Sequence, residues 1–152
     1  DRSPSRGLGD VYKRQCILSV QFSFADKKIY TTDTLQLPVA ARQFINTHFS
    51  GVGISHIKIE KEFWEGNQYD VILTNGFDLD FDKNGEWKEI DGHRNALPVT
   101  VIPEKMAVYL NKNFPGFSVI SIEKDREGYE VKLSDGRELK FNREQLFIGY
   151  ED

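Results

Sequence analysis

The stretch YDVILTNGFDLDFDKNGEWKEID, residues 69–91, decides the fold. Counted from Asp80, oxygen-bearing side chains fall at Asp80, Asp82 and Asn84, Gly85 follows, and Asp91 stands where a calcium loop carries its last ligand. The same letters also read as strands joined by tight turns. Tyr69, Val71 and Leu73 alternate with Asp70, Ile72 and Thr74, and Leu79 and Phe81 alternate with Asp78, Asp80 and Asp82. A calcium loop of this type is flanked by helices and closed by a bidentate Glu. Here the flanks have period two and the closing residue is Asp, so DKNG is read as a hairpin turn. The cation set Asp80, Asp82, Asn84 and Asp91 is the alternative.

An internal repeat supports the strand reading. LPVAARQFINTHFSGVGISHIKIEK lies on IPEKMAVYLNKNFPGFSVISIEK, with Pro38 on Pro103, Ile45 on Leu110, Phe49 on Phe114 and Gly51 on Gly116. Further on, YDVILTNGFDLDFD lies on YEVKLSDGRELKFN, matching Tyr69 to Tyr129, Gly76 to Gly136 and Phe81 to Phe141. In the second copy the stretch corresponding to the Asp80–Asp91 loop, KFNREQLFIG, keeps the strand pattern and loses the acids at the positions of Asp80 and Asp82.

Each copy opens with a helix. Pro38 and Pro103 suit a first helical position, which has no intrahelical N–H bond to lose. Ala41, Phe44, Ile45 and Phe49, and likewise Met106, Tyr109, Leu110 and Phe114, recur at three- and four-residue spacing and give each helix one apolar face. Gly51 and Pro115-Gly116 end the helices. Asn75-Gly76 and Asp135-Gly136 are expected to form type I′ hairpin turns. The sequence thus predicts an α+β protein: a tandem repeat of helix plus antiparallel β-meander, forming one continuous sheet with two helices packed on one face.

The tandem helix-plus-meander, the segments YDVILTNG…LDFDKNGEW and YEVKLSDGRELKFN, and a signal-like leader resemble the PepSY-like, β-lactamase-inhibitor-like proteins exported by Bacteroides-type bacteria. The resemblance spans residues 37–150, and the shared features are turn glycines and core aromatics, so it implies a fold more than an activity. It also implies binding of proteins through the open sheet face and flanking loops, and the restraint of peptidases proposed for PepSY modules.

Composition narrows the class. The 152 residues are 39% hydrophobic and 12% aromatic, enough for one ordinary core, and the net charge of −4 comes without a basic stripe, so nucleic acid is not an expected partner. One cysteine, Cys16, excludes an internal disulfide framework and a cysteine-based zinc site. Residues 1–15, DRSPSRGLGDVYKRQ, lack apolar periodicity and resemble a translated cloning adaptor. Residues 16–25 read as the remnant of a signal peptide, with Ser23 and Ala25 as small residues before a cleavage point, or as a buried strand. The signal reading makes residues 26–152 the PepSY-like domain, with repeat units at about 37–91 and 102–150. The protein is then periplasmic or secreted, without a transmembrane segment.

No catalytic constellation is present in the sequence. His48, His56 and His93 fall on a helix, a strand and an inter-unit loop, and no HExxH, phosphate loop or nucleophile elbow occurs. The expectation is a non-enzyme with no cofactor. Candidate partner-binding residues are those the core pattern leaves unused: Phe63 and Trp64 in the longer hairpin KEFWEGNQ, Ile72 on the polar side of its strand, and Trp87 after the DKNG turn. Asp78 and Asp80, with Glu60, Asp70 and Asp82, would bias that surface toward a basic protein or another cell-envelope ligand. The alternative function is a calcium-responsive structural or sensing protein using the acidic strand Asp78–Asp91.

Overall fold

The computed structural model describes residues 27–151; the adaptor-like and signal-like segments lie outside the described residues. β1 (Lys27–Thr31) leads into α1 (Val39–His48), which is followed by β2 (Ile54–Glu62), β3 (Gly66–Leu73), β4 (Asp78–Phe81) and β5 (Trp87–Asp91). Then α2 (Glu104–Asn113) is followed by β6 (Val119–Lys124), β7 (Gly128–Leu133), β8 (Glu138–Asn142) and β9 (Phe147–Tyr150). The nine strands form one open sheet in chain order, each antiparallel to its neighbours.

Period-two alternation separates the two faces. Ile57, Val71, Leu79, Ile90, Ile122, Val131 and Leu139 are successive register partners from β2 to β8, and all are buried. Ala41 and Ile45 of α1 and Met106 and Leu110 of α2 belong to the same core, so both helices cover this one face. Phe44 meets Phe81 edge-on at 5.7 Å, and Tyr109 meets Phe141 edge-on at 5.7 Å. Each fully buried side chain of this size is worth about 1.5–3 kcal/mol. Across the sheet from the helices lies a polar face that no described element covers.

Three local details differ from the sequence reading. Pro38 and Pro103 are N-caps with extended backbone (ψ 150° and 144°), one residue before the first helical position. Their carbonyls accept from Arg42 and Ala107 and begin the helical ladders. The Asn75-Gly76 and Asp135-Gly136 turns are not type I′, because neither Asn75 nor Asp135 has positive φ. In each, the glycine N–H bonds to the carbonyl three residues back, and the first residue's N–H bonds to the carbonyl just after the glycine (Leu73 to Phe77, Leu133 to Arg137). This is a type I turn followed by a left-handed residue, the other common route to strand-compatible twist. Finally, β1 extends the sheet beyond the predicted elements; its exposed KKIYT sequence has no buried alternation to reveal it.

Candidate functional site

The polar face carries a ladder of charge. Lys58, Asp70, Asp80, Glu89, Glu123, Glu130 and Lys140 are successive register partners from β2 to β8, so five acids stand side by side between two lysines. Neighbouring strands lie about 4.8 Å apart, which leaves these carboxylates no room to avoid one another. The densest point is Asp70, Asp78 and Asp80, which each present a carboxylate oxygen within 4.8 Å of the others. Asp70 and Asp80 face each other across β3 and β4, and Asp78 lies two residues from Asp80 on the same side. Two unit charges at the 4.8 Å limit of this cluster repel by about 3.5 kcal/mol at an effective dielectric of about 20.

The cluster is half-buried, which makes that repulsion count. Burial, a hydrogen bond shared with Asp70 and the Asp70 charge push Asp78 up to about 8. Burial, followed by the charges of Asp70 and Glu89, pushes Asp80 up to about 7. Glu89 is raised as well, by burial and then by Glu123 and Asp91. When the trio is ionised, Asp70 Oδ1 and Asp78 Oδ1 are sealed from solvent with no donor to satisfy them. A proton or a bound cation between the carboxylates would remove that cost. Oxygen-only ligands of this kind suit a hard divalent ion such as calcium or magnesium.

The residues of the loop-type cation set are not brought together. Asp82 Oδ1 accepts from the N–H groups of Asn84 (2.8 Å) and Glu86 (3.0 Å), closing the β4–β5 turn. Asn142 Oδ1 makes the matching bonds to Glu144 and Leu146 (both 3.0 Å) in the β8–β9 turn, so a neutral amide does the same work. Asp91 Oδ1 accepts from His93 N–H at 2.7 Å. The acidic cluster therefore keeps Asp80 and joins it to Asp70 and Asp78. Strand register, which a loop motif does not encode, produces this set.

The aromatic candidates separate. Phe63 and Trp64 sit at the tip of the β2–β3 hairpin, 76% and 86% exposed, with their rings edge-on at 4.6 Å. Trp87 is half-buried against the core, under Lys124 Nζ at 4.3 Å and with Tyr129 at 6.3 Å. It is a packing residue, because a bulge at β4–β5 turns it toward the apolar side opposite Phe81. Ile72 is half-buried rather than free; it stands between His56 and Asp78 in register and supplies part of the apolar surround of the cluster.

The histidines are dispersed. His48 Nδ1 lies 2.8 Å from Thr100 Oγ1 and its ring 4.5 Å from Phe44, with its pKa lowered by burial. His56 is exposed beside Ser55, and His93 occupies the β5–α2 loop. A concavity of about 720 Å³ lies over the second half of the polar face, where Glu89, Glu123 and Glu130 mix with Arg94 and Lys132. It is broad and open, whereas the converging carboxylates lie outside it. Glu89, Glu123 and Glu130 escaped the sequence reading because cross-strand register alone aligns them.

The chain is thus an open antiparallel sheet with both helices on one face and converging acids on the other. Residues 67–149 match the family described as "Putative beta-lactamase-inhibitor-like, PepSY-like", and the chain belongs to that family. No curated protein matches the chain. A solved "putative periplasmic protein of unknown function" from Bacteroides vulgatus is 39% identical, with TM-score 0.78, covering 83% of this chain and 100% of its own. A second from that organism is 38% identical, with TM-score 0.76 over 86% and 100%. A "putative calcium-regulated periplasmic protein" from Bacteroides thetaiotaomicron is 39% identical, with TM-score 0.75 over 84% and 97%. The protein is periplasmic, as these relatives are described to be. No helix among the described residues is long and apolar enough to cross a membrane.

Proposed function

We propose that the protein is a non-enzymatic periplasmic module that responds to a divalent cation, calcium being the favoured ion, held by Asp70, Asp78 and Asp80. The observation that carries this reading is a three-carboxylate cluster in which, once all three are ionised, Asp70 Oδ1 and Asp78 Oδ1 are sealed from solvent with no donor. The calcium-regulated description of one solved relative supports the choice of ion. The two halves are read as copies of one helix-plus-four-strand unit, of which only the first has an acid at the position of Asp80; Lys140 stands there in the second, and Glu138 stands at the position of Asp78. The test is thermal unfolding against calcium concentration, with chelator as the reference. A rise following mass action is expected, about 2.7 kcal/mol at a hundredfold excess over Kd. Asp78→Asn with Asp80→Asn should abolish the rise, and Asp82→Asn should leave it intact. A parent protein whose melting temperature ignores calcium up to 10 mM would sink the reading.

A second reading, binding of a protein or other envelope ligand through the sheet face and the β2–β3 tip, is favoured by the exposed Phe63–Trp64 pair. Such a pair offers rigid apolar area at low entropic cost. Capture of a specific envelope protein by the parent, lost in a Phe63→Ser, Trp64→Ser variant of unchanged melting temperature, would support it. Equal capture by both would remove the tip from consideration.

A further inference from the structure

Lys58 stands opposite Asp70 in register, with its Nζ 3.4 Å from Asp70 Oδ2. Burial works against its charge, but Asp70 and then Glu60 outweigh that and hold its pKa above the ordinary lysine value. Asp70 thus turns one oxygen to an ammonium and, when the cluster is ionised, keeps the other, Oδ1, without a donor. Lys88, which lines the same part of the face, is engaged with Gln68 Oε1 at 3.1 Å. The site carries three carboxylates and one tethered positive charge, so its formal charge with every group ionised is −2, which one divalent ion balances.

We infer that Lys58 is the resident counter-ion of the cation site and sets its affinity, competing with the incoming ion for Asp70 and matching the cluster to a divalent charge. This rests on the cation reading above. An ammonium on a four-carbon stem cannot replace the ion, because it bonds at the rim and leaves the oxygens between the carboxylates unsatisfied. It can only weaken binding by charge repulsion, and that cost scales with the charge of the ligand ion.

The experiment is titration calorimetry of the parent, Lys58→Met, Lys58→Gln and Lys58→Arg with calcium and with trivalent terbium, after the fold of each is checked by circular dichroism. Loss of the positive charge should tighten calcium binding by about tenfold or more and terbium binding by a larger factor, while Lys58→Arg stays near the parent. A merely structural lysine would give the opposite sign, since its loss would weaken binding. Calcium binding by the parent with equal or poorer affinity in both neutral variants overturns the role of Lys58 and leaves the cation site standing. Binding seen only in the neutral variants upholds that role and removes calcium as the parent's ligand. Absence of binding in every protein overturns both.

Discussion

Gln145 Oε1 accepts a hydrogen bond from the backbone N–H of Lys105 at 3.1 Å, so the β8–β9 turn caps the N-terminus of α2. Pro103, the N-cap, has no side-chain acceptor to do this. Gln145 does so from a left-handed conformation, φ 68°, at the turn position that Gly85 fills in the β4–β5 hairpin. Two opposed effects of about 1 kcal/mol each meet in this residue, a capping bond gained and backbone strain borne. Gln145→Ala should therefore cost about 1 kcal/mol, and Gln145→Gly should be neutral within about 0.5 kcal/mol. Urea unfolding of the two variants checks the difference.

At the corresponding corner of the first half, contact replaces capping. A Cβ on Gly85 would meet Ala41 N at 2.8 Å and Pro38 Cβ at 2.9 Å, backbone and ring atoms of the start of α1 that cannot swing aside. Gly76 has a similar positive φ but open space around it. Gly76→Ala should cost about 1–2 kcal/mol for the left-handed backbone alone. Gly85→Ala adds a steric clash to the same strain and should cost about 3 kcal/mol or more. Equal melting temperatures for the two would show that the turn does not bear on the helix.

The acidic cluster fixes the sign of a pH effect. Asp78 and Asp80 have folded-state values of about 8 and about 7, well above an unfolded value near 3.9. Between about pH 4 and 8 the native state therefore holds more protons than the unfolded chain, and stability from these groups falls as pH rises. In chelator, the Asp78→Asn, Asp80→Asn variant should gain stability over the parent progressively from pH 5 to 8.5. Both groups are about half exposed to solvent screening, so the direction is what is expected, measured by urea unfolding at each pH. A constant difference across that range would remove the raised pKa values from consideration.

Fold and site were legible to different depths. Period-two alternation through residues 69–81 and the matched helices after Pro38 and Pro103 were enough to give the layers and the sheet, because burial of one face is written residue by residue. Turn type was misread since Asn-Gly and Asp-Gly fit both the two-residue loop and the type I turn with a trailing left-handed glycine. The loop motif drew attention to Asp82 and Asp91, whose carboxylates cap local N–H groups. Asp70, eight residues before Asp78, joins the cluster only through cross-strand pairing, and Lys58 enters through a further strand. Pairwise register is a tertiary property, so the site could be named by strand but not by membership.

The two tryptophans test the placement of the aromatic candidates. Trp64 is 86% exposed at a hairpin tip, and Trp87 lies against the core between Lys124 and Tyr129. Trp87→Ala should remove a packed indole and its cation–π partner at a cost of about 2–4 kcal/mol. Trp64→Ala removes surface that water already reaches and should change stability by no more than about 0.5 kcal/mol. Fluorescence separates them further: the Trp87→Phe protein, emitting from Trp64 alone, should be red-shifted and strongly quenched by acrylamide, and the Trp64→Phe protein blue-shifted and protected. Reversed quenching would place Trp64 against a surface, and the hairpin tip would no longer be available to a partner.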